Sequence, residues 1–176
     1  KDGEHHEVKT QLIGEYNFAN ALAAVTIGHF FDVESGKIDT ALKEYTPQNN
    51  RSQLKQTADN TLIIDAYNAN PTSMQASISN FHNMEIDNKM LILGDMRELG
   101  KDGPEEHQKI VDFLTECGFK DVMLVGEQFA AARHDFPTYP DAPAVIEAIQ
   151  KNKPHGKTIL IKGSNGIKLS TVIDYL

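Results

Sequence analysis

Polar side chains follow an apolar segment near the middle of the chain. Residues 61–64 are apolar or β-branched, and Asp65, Asn68 and Asn70 come directly after them, ahead of Pro71. Such a segment predicts a strand buried on both faces, with a helix starting at the proline. A carboxylate and amides at this point indicate a small-ligand site at the sheet edge. The structural alternative is that Asp65 and Asn70 only cap the next helix.

Two further predicted strands end in groups that could bind an anion or frame a pocket. Asp95 and Glu98 lie between glycines after one of them, and Lys162 and Ser164 follow the last one. An ammonium, a hydroxyl and glycine amides ahead of a helix are typical of a carboxylate or phosphate site. Because parallel strands end at the same edge of a sheet, we predict that the three segments form one site.

The elements that must position these groups alternate between strand and helix. This pattern predicts an α/β fold, a Rossmann-like and mostly parallel sheet flanked by helices. We expect strands at about 61–65, 89–93, 121–125, 136–139 and 158–162, and helices at about 72–84, 105–117, 127–134, 142–152 and 167–176.

Two helices are predicted before the first strand, at 17–31 and 35–45. They have no strands of their own, so they look like the end of a preceding domain. The polar stretch 46–52 indicates a boundary. We therefore expect a domain remnant over 1–46, a linker over 47–53 and the Rossmann-like domain over 54–176. The helical spacing of apolar residues in the first helix predicts burial of Ala21, Leu22, Val25, Ile27 and Phe30.

Composition excludes several functional classes. A net charge of −8 disfavours a nucleic-acid binder, and there is no apolar run long enough to span a membrane. Cys117 is the single cysteine, so an internal disulfide is impossible and a reducing, cytoplasmic location is expected. The chain starts at Lys1 without a methionine or a signal-peptide pattern, which we interpret as a fragment or a processed chain.

The common catalytic and cofactor motifs are missing from these 176 residues. There is no Gly-x-Gly-x-x-Gly fingerprint and no Walker A loop, which disfavours a dinucleotide dehydrogenase and a complete ATP site. Ser164 has no nucleophile elbow around it, and the seven histidines show no metal-ligand spacing, so we expect no metal site.

Five segments, taken together and in order, resemble the Mur ligase family. The most specific is DAYNANPTSM, and the others extend the resemblance along nearly the whole chain. They are residues 14–24, 49–53, 65–74, 93–100 with His107, and 162–164. The 65–74 segment resembles the members that join D-alanyl-D-alanine to UDP-N-acetylmuramoyl-tripeptide, so the resemblance implies these two substrates as partners. Tyr16 and Asn165 depart from the family pattern, which usually has histidine and arginine there.

The resemblance also implies roles for individual residues. Asn17 and Asn20 would contact the adenine of ATP. Arg51 and Asp65 would be the catalytic pair that reaches the ribose and phosphates when the C-terminal domain closes. The groups that frame the incoming dipeptide would be Asn68, Asn70, Asp95, Glu98, Lys162 and Ser164. Mg²⁺ would be bound mainly by the part of the central domain that these residues do not include.

The implied reaction is ATP-dependent amide-bond formation through an acyl phosphate, by a monomeric cytoplasmic enzyme of peptidoglycan precursor synthesis. We expect the fragment alone to be inactive. Two alternatives stay open at this point. One is a non-catalytic Rossmann-like module that binds a nucleotide or a small anion. The other is a related ligase, either another Mur enzyme or folylpolyglutamate synthase.

Overall fold

A computed structural model of the chain describes residues 5–14, 17–48 and 50–176. The helices are α1 (Phe18–Phe30), α2 (Ser35–Glu44), α3 (Pro71–Asn83), α4 (Gly103–Glu116), α5 (Glu127–Ala131) and α6 (Ala142–Lys151). The strands are β1 (Gln53–Gln56), β2 (Thr61–Asp65), β3 (Lys89–Gly94), β4 (Val122–Val125), β5 (Thr138–Tyr139) and β6 (Thr158–Lys162). Short 3₁₀ helices span Gly100–Asp102, Asn165–Ile167 and Leu169–Tyr175.

The strands of the described residues form one sheet in the order β1-β2-β6-β3-β4-β5. Strand β1 is antiparallel to β2, and every other neighbouring pair is parallel. The last strand, β6, is inserted between β2 and β3. The carboxyl ends of β2, β6 and β3 are therefore adjacent, as the sequence predicts for an α/β fold.

Both faces of the sheet are covered because its central strands are apolar on both sides. Leu62 and Ile64 of β2 pack in one cluster with residues of α6 and the C-terminal 3₁₀ helix. Ile63, which points to the opposite face, packs with residues of α3 and α4. The strand is thus held between two layers, and this fixes where its polar end lies.

The prediction of a buried face on the first helix is wrong for the described residues. Helix α1 has no buried residue, and the exposed fractions of Leu22, Ile27 and Phe30 are 54%, 58% and 79%. Ala21 and Val25 are half-buried rather than buried. The physical reason is that α1 packs against α2 on one side only, and no layer of the described residues covers the other side.

The two ends of the Rossmann-like part also differ from prediction. The sequence pattern does not predict strand β1, because its residues are mostly exposed and carry no apolar alternation. The predicted helix at 167–176 is a pair of 3₁₀ segments separated by Lys168 in a left-handed conformation. Leu169 and Val172 are buried three residues apart, the spacing at which side chains align along a 3₁₀ helix.

No helix of the described ranges is both long and apolar enough to cross a lipid bilayer.

Candidate functional site

The ends of β2 and β6 place a carboxylate beside an ammonium. Asp65 and Lys162 are register partners on these neighbouring strands, and Lys162 Nζ lies 2.5 Å from Asp65 Oδ2. The Lys162 side chain is only 1% exposed, whereas that of Asp65 is 17% exposed. Burying an ammonium is costly in free energy unless an opposite charge is paired with it, and Asp65 provides that charge for Lys162.

Two further groups complete the surroundings of this ion pair. The Ser77 hydroxyl on α3 donates to Asp65 Oδ2 at 3.2 Å, and Lys162 Nζ lies 3.5 Å from the Asn68 carbonyl oxygen. Asp65 is therefore oriented from two sides while part of its carboxylate faces the cleft. Ser77 had no signal in the sequence, because its contact depends on how α3 packs over the strand end.

The two asparagines after β2 are engaged with the backbone. Asn70 caps α3: its Oδ1 accepts from the Ser73 amide at 2.8 Å, and the Ser73 hydroxyl accepts from the Asn70 amide at 3.1 Å. Asn68 Oδ1 accepts from the Ala69 amide at 2.8 Å. The capping alternative thus holds for Asn70 but not for Asp65, whose partners are a lysine and a serine.

Arg51 stacks on the ring of Tyr67, with its Cζ 3.8 Å from the ring centroid. Both side chains are on the surface of a cleft, and Tyr67 is 48% exposed. Tyr67 lies inside the segment that carries the resemblance, yet sequence reasoning assigned it no role. The contact joins the segment before β1 to the turn after β2.

A cleft of about 820 Å³ brings most of the predicted residues together. Asn17 and Asn20 line it from the side of α1, where Asn17 Nδ2 donates to the Ile13 carbonyl at 2.7 Å and Asn20 Nδ2 donates to Asn17 Oδ1 at 3.0 Å. The opposite wall consists of residues from the segment before β1, the turn after β2, the start of α3 and the end of β6. From the predicted set these are Arg51, Asp65, Asn68, Asn70 and Lys162. Tyr16 lies outside the described residues.

Asp95 and Glu98 lie apart from this cleft. They line a second cleft of about 600 Å³ at the ends of β3 and β4. The Asp95 carboxylate is buried and accepts from the amides of Gln128 and Phe129, each at 3.0 Å, at the start of α5. Glu98 is exposed and has a left-handed backbone with a φ of 68°.

Ser164 is buried between the two clefts and connects their loops. Its hydroxyl oxygen accepts from the Arg97 amide at 2.8 Å, and the hydroxyl lies 3.5 Å from the Ala69 carbonyl oxygen, to which it donates. The Ser164 amide also donates to the Asp95 carbonyl at 3.2 Å. These contacts hold the three predicted strand ends in one arrangement, although only two of the ends line the larger cleft.

His107 supports the loop after β3 from beneath, a function that sequence reasoning missed. The side chain is fully buried, and its Nε2 accepts from the Met96 amide at 3.0 Å. The proton is therefore on Nδ1, which donates to the Gly103 carbonyl at 2.7 Å. The ring also meets Phe129 edge-on, with 4.7 Å between centroids. In the sequence, His107 stands out only as part of the resemblance around 93–100, and its place on the buried face of α4 is seen in the structure.

The charges of the larger cleft leave one cation without a counter-charge in residues 5–14, 17–48 and 50–176. Lys162 is paired with Asp65, and Lys37 is paired with Glu34 at 2.9 Å. Arg51 has no carboxylate within ion-pair distance in those ranges and only stacks on Tyr67. A cleft of this size with one available guanidinium suits an anionic, nucleotide-sized ligand.

Magnesium has no corresponding set of ligands in the described part of the chain. There, no group of three or more His, Cys, Asp or Glu side chains is arranged to hold a metal ion. The one carboxylate of the cleft close to Arg51, that of Asp65, already neutralises Lys162. The cleft therefore suits an anionic ligand of nucleotide size, whereas the described residues do not form a complete Mg²⁺ site.

Comparison with known proteins identifies a family and several relatives of the chain. The profile of the family described as Mur ligase, glutamate ligase domain, matches residues 50–165. The UDP-N-acetylmuramoyl-tripeptide–D-alanyl-D-alanine ligase of Bacillus subtilis (strain 168) is 29% identical over 191 residues, covering 98% of this chain and 42% of the relative. The ligase of the same name from Rickettsia prowazekii (strain Madrid E) is 30% identical, covering 71% of this chain and 29% of the relative.

Solved structures agree with this grouping. MurF from Acinetobacter baumannii superimposes with a TM-score of 0.80 at 27% identity, covering 95% of this chain and 39% of that protein. The chain thus spans less than half the length of each of these relatives.

Proposed function

The chain belongs to the Mur ligase family, and we propose that it is the C-terminal part of an ATP-dependent ligase that adds D-alanyl-D-alanine to UDP-N-acetylmuramoyl-tripeptide. The observation that carries this proposal is the similarity to the Bacillus subtilis ligase of that name over 98% of the chain. The DAYNANP segment, which distinguishes this activity from those of related ligases in the resemblance, lines the larger cleft with Asp65, Tyr67, Asn68 and Asn70.

We assign the domains as the sequence predicts. Residues 1–46 would be the end of the central ATP-binding domain, 47–53 the linker, and 54–176 the C-terminal domain of a Mur ligase. On this assignment the larger cleft would lie between the first and third of these, since its walls come from α1 and α2 on one side and from the turn after β2 on the other. A nucleotide in this cleft would contact both domains.

On the central-domain side, Asn17 and Asn20 would bind the adenine. On the other side, Arg51 would approach the phosphates, because its charge has no carboxylate partner among the described residues. Asp65 would accept hydrogen bonds from the ribose hydroxyls while Lys162 holds its carboxylate in place. A guanidinium without a counter-ion and an oriented carboxylate are suited to these two parts of the nucleotide.

The dipeptide would be framed by the remaining predicted residues in two ways. Asn68 and Asn70 line the cleft and would contact it there, whereas Glu98 would act from the rim of the second cleft. Asp95, Lys162 and Ser164 are buried and engaged with other groups, so they would act by holding the surrounding loops in place.

The proposed reaction has two steps. ATP phosphorylates the terminal carboxylate of the tripeptide, and the dipeptide amine attacks this acyl phosphate to give a tetrahedral intermediate that expels phosphate. Such chemistry depends on positioning and charge neutralisation more than on a protein nucleophile. Closure of the cleft between the domains would exclude water and protect the acyl phosphate from hydrolysis.

The 176 residues contain no Walker A loop, so we expect them to be inactive in ligation without the remainder of the protein. Measurable ligation by the purified chain alone would contradict this expectation. We further propose that the complete enzyme is monomeric and cytoplasmic.

The test is phosphate release by the full-length protein that contains this chain. ATP, Mg²⁺, UDP-N-acetylmuramoyl-tripeptide and D-alanyl-D-alanine are supplied together and then omitted one at a time. Release that requires both the tripeptide and the dipeptide would support the proposal. Release that does not depend on the dipeptide would move the assignment to a related ligase. No release from a folded protein would favour a nucleotide- or anion-binding module.

A further inference from the structure

Tyr67 provides the one partner that Arg51 has in the described ranges. The guanidinium lies over the face of the ring, with Cζ 3.8 Å from the centroid. Within those ranges it donates no hydrogen bond and has no carboxylate within ion-pair distance. The N–H donors of an arginine lie in the plane of the guanidinium. When only the face of that plane is in contact with a ring, the donors stay available for a ligand.

The backbone around Arg51 also presents this side chain in a defined way. Asn50 and Ser52, the residues on either side of it, both have left-handed backbones, with φ values of 58° and 47°. Such conformations are uncommon outside glycine and persist where the surrounding structure determines them. Ser52 is buried, so this turn is anchored in the protein while Arg51 itself is exposed.

Tyr67 is two residues after Asp65, and so one turn places both the ring and the carboxylate at the cleft. The Tyr67 hydroxyl forms no hydrogen bond with any described residue, and the ring is 48% exposed. A half-exposed tyrosine whose hydroxyl has no partner contributes through its ring. That ring faces the one cation of the cleft without a counter-charge in the described part of the chain.

We propose that Tyr67 is a positioning residue, whose ring holds the Arg51 guanidinium so that its N–H donors meet the phosphates of the nucleotide. This inference rests on the proposed function only in taking the ligand of the larger cleft to be a nucleotide. It extends that function, because it gives nucleotide affinity a determinant that acts through Arg51.

The experiment is a double-mutant cycle on the full-length protein that contains this chain. The dissociation constant of a non-hydrolysable ATP analogue is measured by calorimetry for the wild type, Tyr67→Leu, Arg51→Ala and the double variant. Stacking of a cation on an exposed ring is weak, so we expect Tyr67→Leu to raise the dissociation constant about two- to five-fold. In the Arg51→Ala background the same change should have no further effect.

Two variants separate positioning from a structural contribution. Tyr67→Phe keeps the ring and loses only the hydroxyl, so it should restore wild-type affinity. Tyr175→Leu removes another partly exposed tyrosine, one outside the cleft, and should leave nucleotide binding unchanged. Urea unfolding of each variant shows whether it is folded under the conditions of the titration.

The inference is overturned if Tyr67→Leu weakens binding equally with and without Arg51, or if Tyr67→Phe is as weak as Tyr67→Leu. It is overturned as well if the wild type binds no ATP analogue. Its failure is distinct from that of the proposed function. A protein that ligates but shows no coupling overturns only the inference, whereas one that shows coupling but does not ligate overturns only the ligase assignment.

Discussion

Asp65 and Lys162 are paired twice, once as register partners of parallel strands and once as an ion pair with 2.5 Å between Oδ2 and Nζ. They are 97 residues apart in sequence, and β6 brings them together by inserting beside β2. The lysine is nearly fully buried, and the carboxylate is partly exposed to the cleft. Because of this difference in burial, loss of the carboxylate should cost more stability than loss of the lysine.

The first prediction follows from this asymmetry. Asp65→Asn leaves an uncompensated ammonium in the protein interior, so we expect the free energy of unfolding in urea to fall by about 3 kcal/mol. The double variant Asp65→Asn/Lys162→Met should recover much of this loss, because the buried charge is removed together with its partner.

Asp121→Asn provides the matched control. It breaks an exposed ion pair of similar length, 2.7 Å to Lys157, and should cost about 0–1 kcal/mol. An Asp65→Asn variant as stable as Asp121→Asn would show that Lys162 does not depend on its partner.

The strands of the sheet centre could be predicted because their physical signal is local. Residues 61–65, 89–93 and 158–162 are apolar on both faces, and the structure has strands at these positions. Strand β1 carries no such signal, since it is a short polar edge strand that is defined by pairing with β2. For helix α1, in contrast, the sequence carries a signal that the structure does not bear out. Its apolar residues predict burial, but burial depends on a second layer that the described residues do not supply.

The site could be predicted as a set of residues but not as a set of contacts. The sequence pattern indicates both Lys162 and Asp95 as groups that are available to a ligand. In the structure, Lys162 is bound to a carboxylate 97 residues away and Asp95 to amides 33 and 34 residues away. The spacing of residues in the sequence does not predict long-range contacts of this kind. Arg51 shows the converse case, because the function proposed for it rests on its lack of a carboxylate partner among the described residues.

The second prediction concerns Asp95, whose carboxylate accepts from two backbone amides at the start of α5. Asp95→Asn removes the charge and leaves one of these amides facing a donor, so the free energy of unfolding should fall by about 1–3 kcal/mol. Asp102→Asn is the control, because Asp102 precedes α4 without a side-chain capping bond. Equal stability of the two variants in urea unfolding would contradict a capping function for Asp95.

The third prediction concerns the glycine that faces the same carboxylate. Gly126 has a φ of 122°, and a Cβ built on it would collide with the Asp95 carboxylate. Gly126→Ala therefore imposes both backbone strain and displacement of the α5 cap, with an expected loss of at least about 2 kcal/mol.

Gly36→Ala serves as the control for that substitution. Gly36 lies in α2, and a Cβ there has open space around it, so alanine should be neutral or stabilising by up to about 1 kcal/mol. Thermal or urea unfolding of both variants measures the difference, and a Gly126→Ala variant of wild-type stability would show that the Asp95 loop can move freely.

The fourth prediction is a pH dependence at Cys117, the residue that ends α4. Burial raises the pKa of the Cys117 thiol above its ordinary value, and the neighbouring Glu116 carboxylate raises this pKa further. At a given alkaline pH the folded chain therefore holds less thiolate than the unfolded chain, and thiolate is the form that reacts with iodoacetamide. The midpoint of the alkylation rate against pH should lie higher for the folded chain than for the same chain in urea.

The raised pKa of the Cys117 thiol also affects the stability of the fold. Since the folded state keeps its proton to higher pH, the unfolded state binds fewer protons in that range, and this thiol lowers the stability of the fold as pH rises through its unfolded pKa. Glu116→Gln removes the smaller of the two causes, so the alkylation midpoint should fall part of the way toward the unfolded value. A folded midpoint at or below the unfolded one would contradict the burial of Cys117, and an unchanged midpoint in Glu116→Gln would contradict only the contribution of the carboxylate.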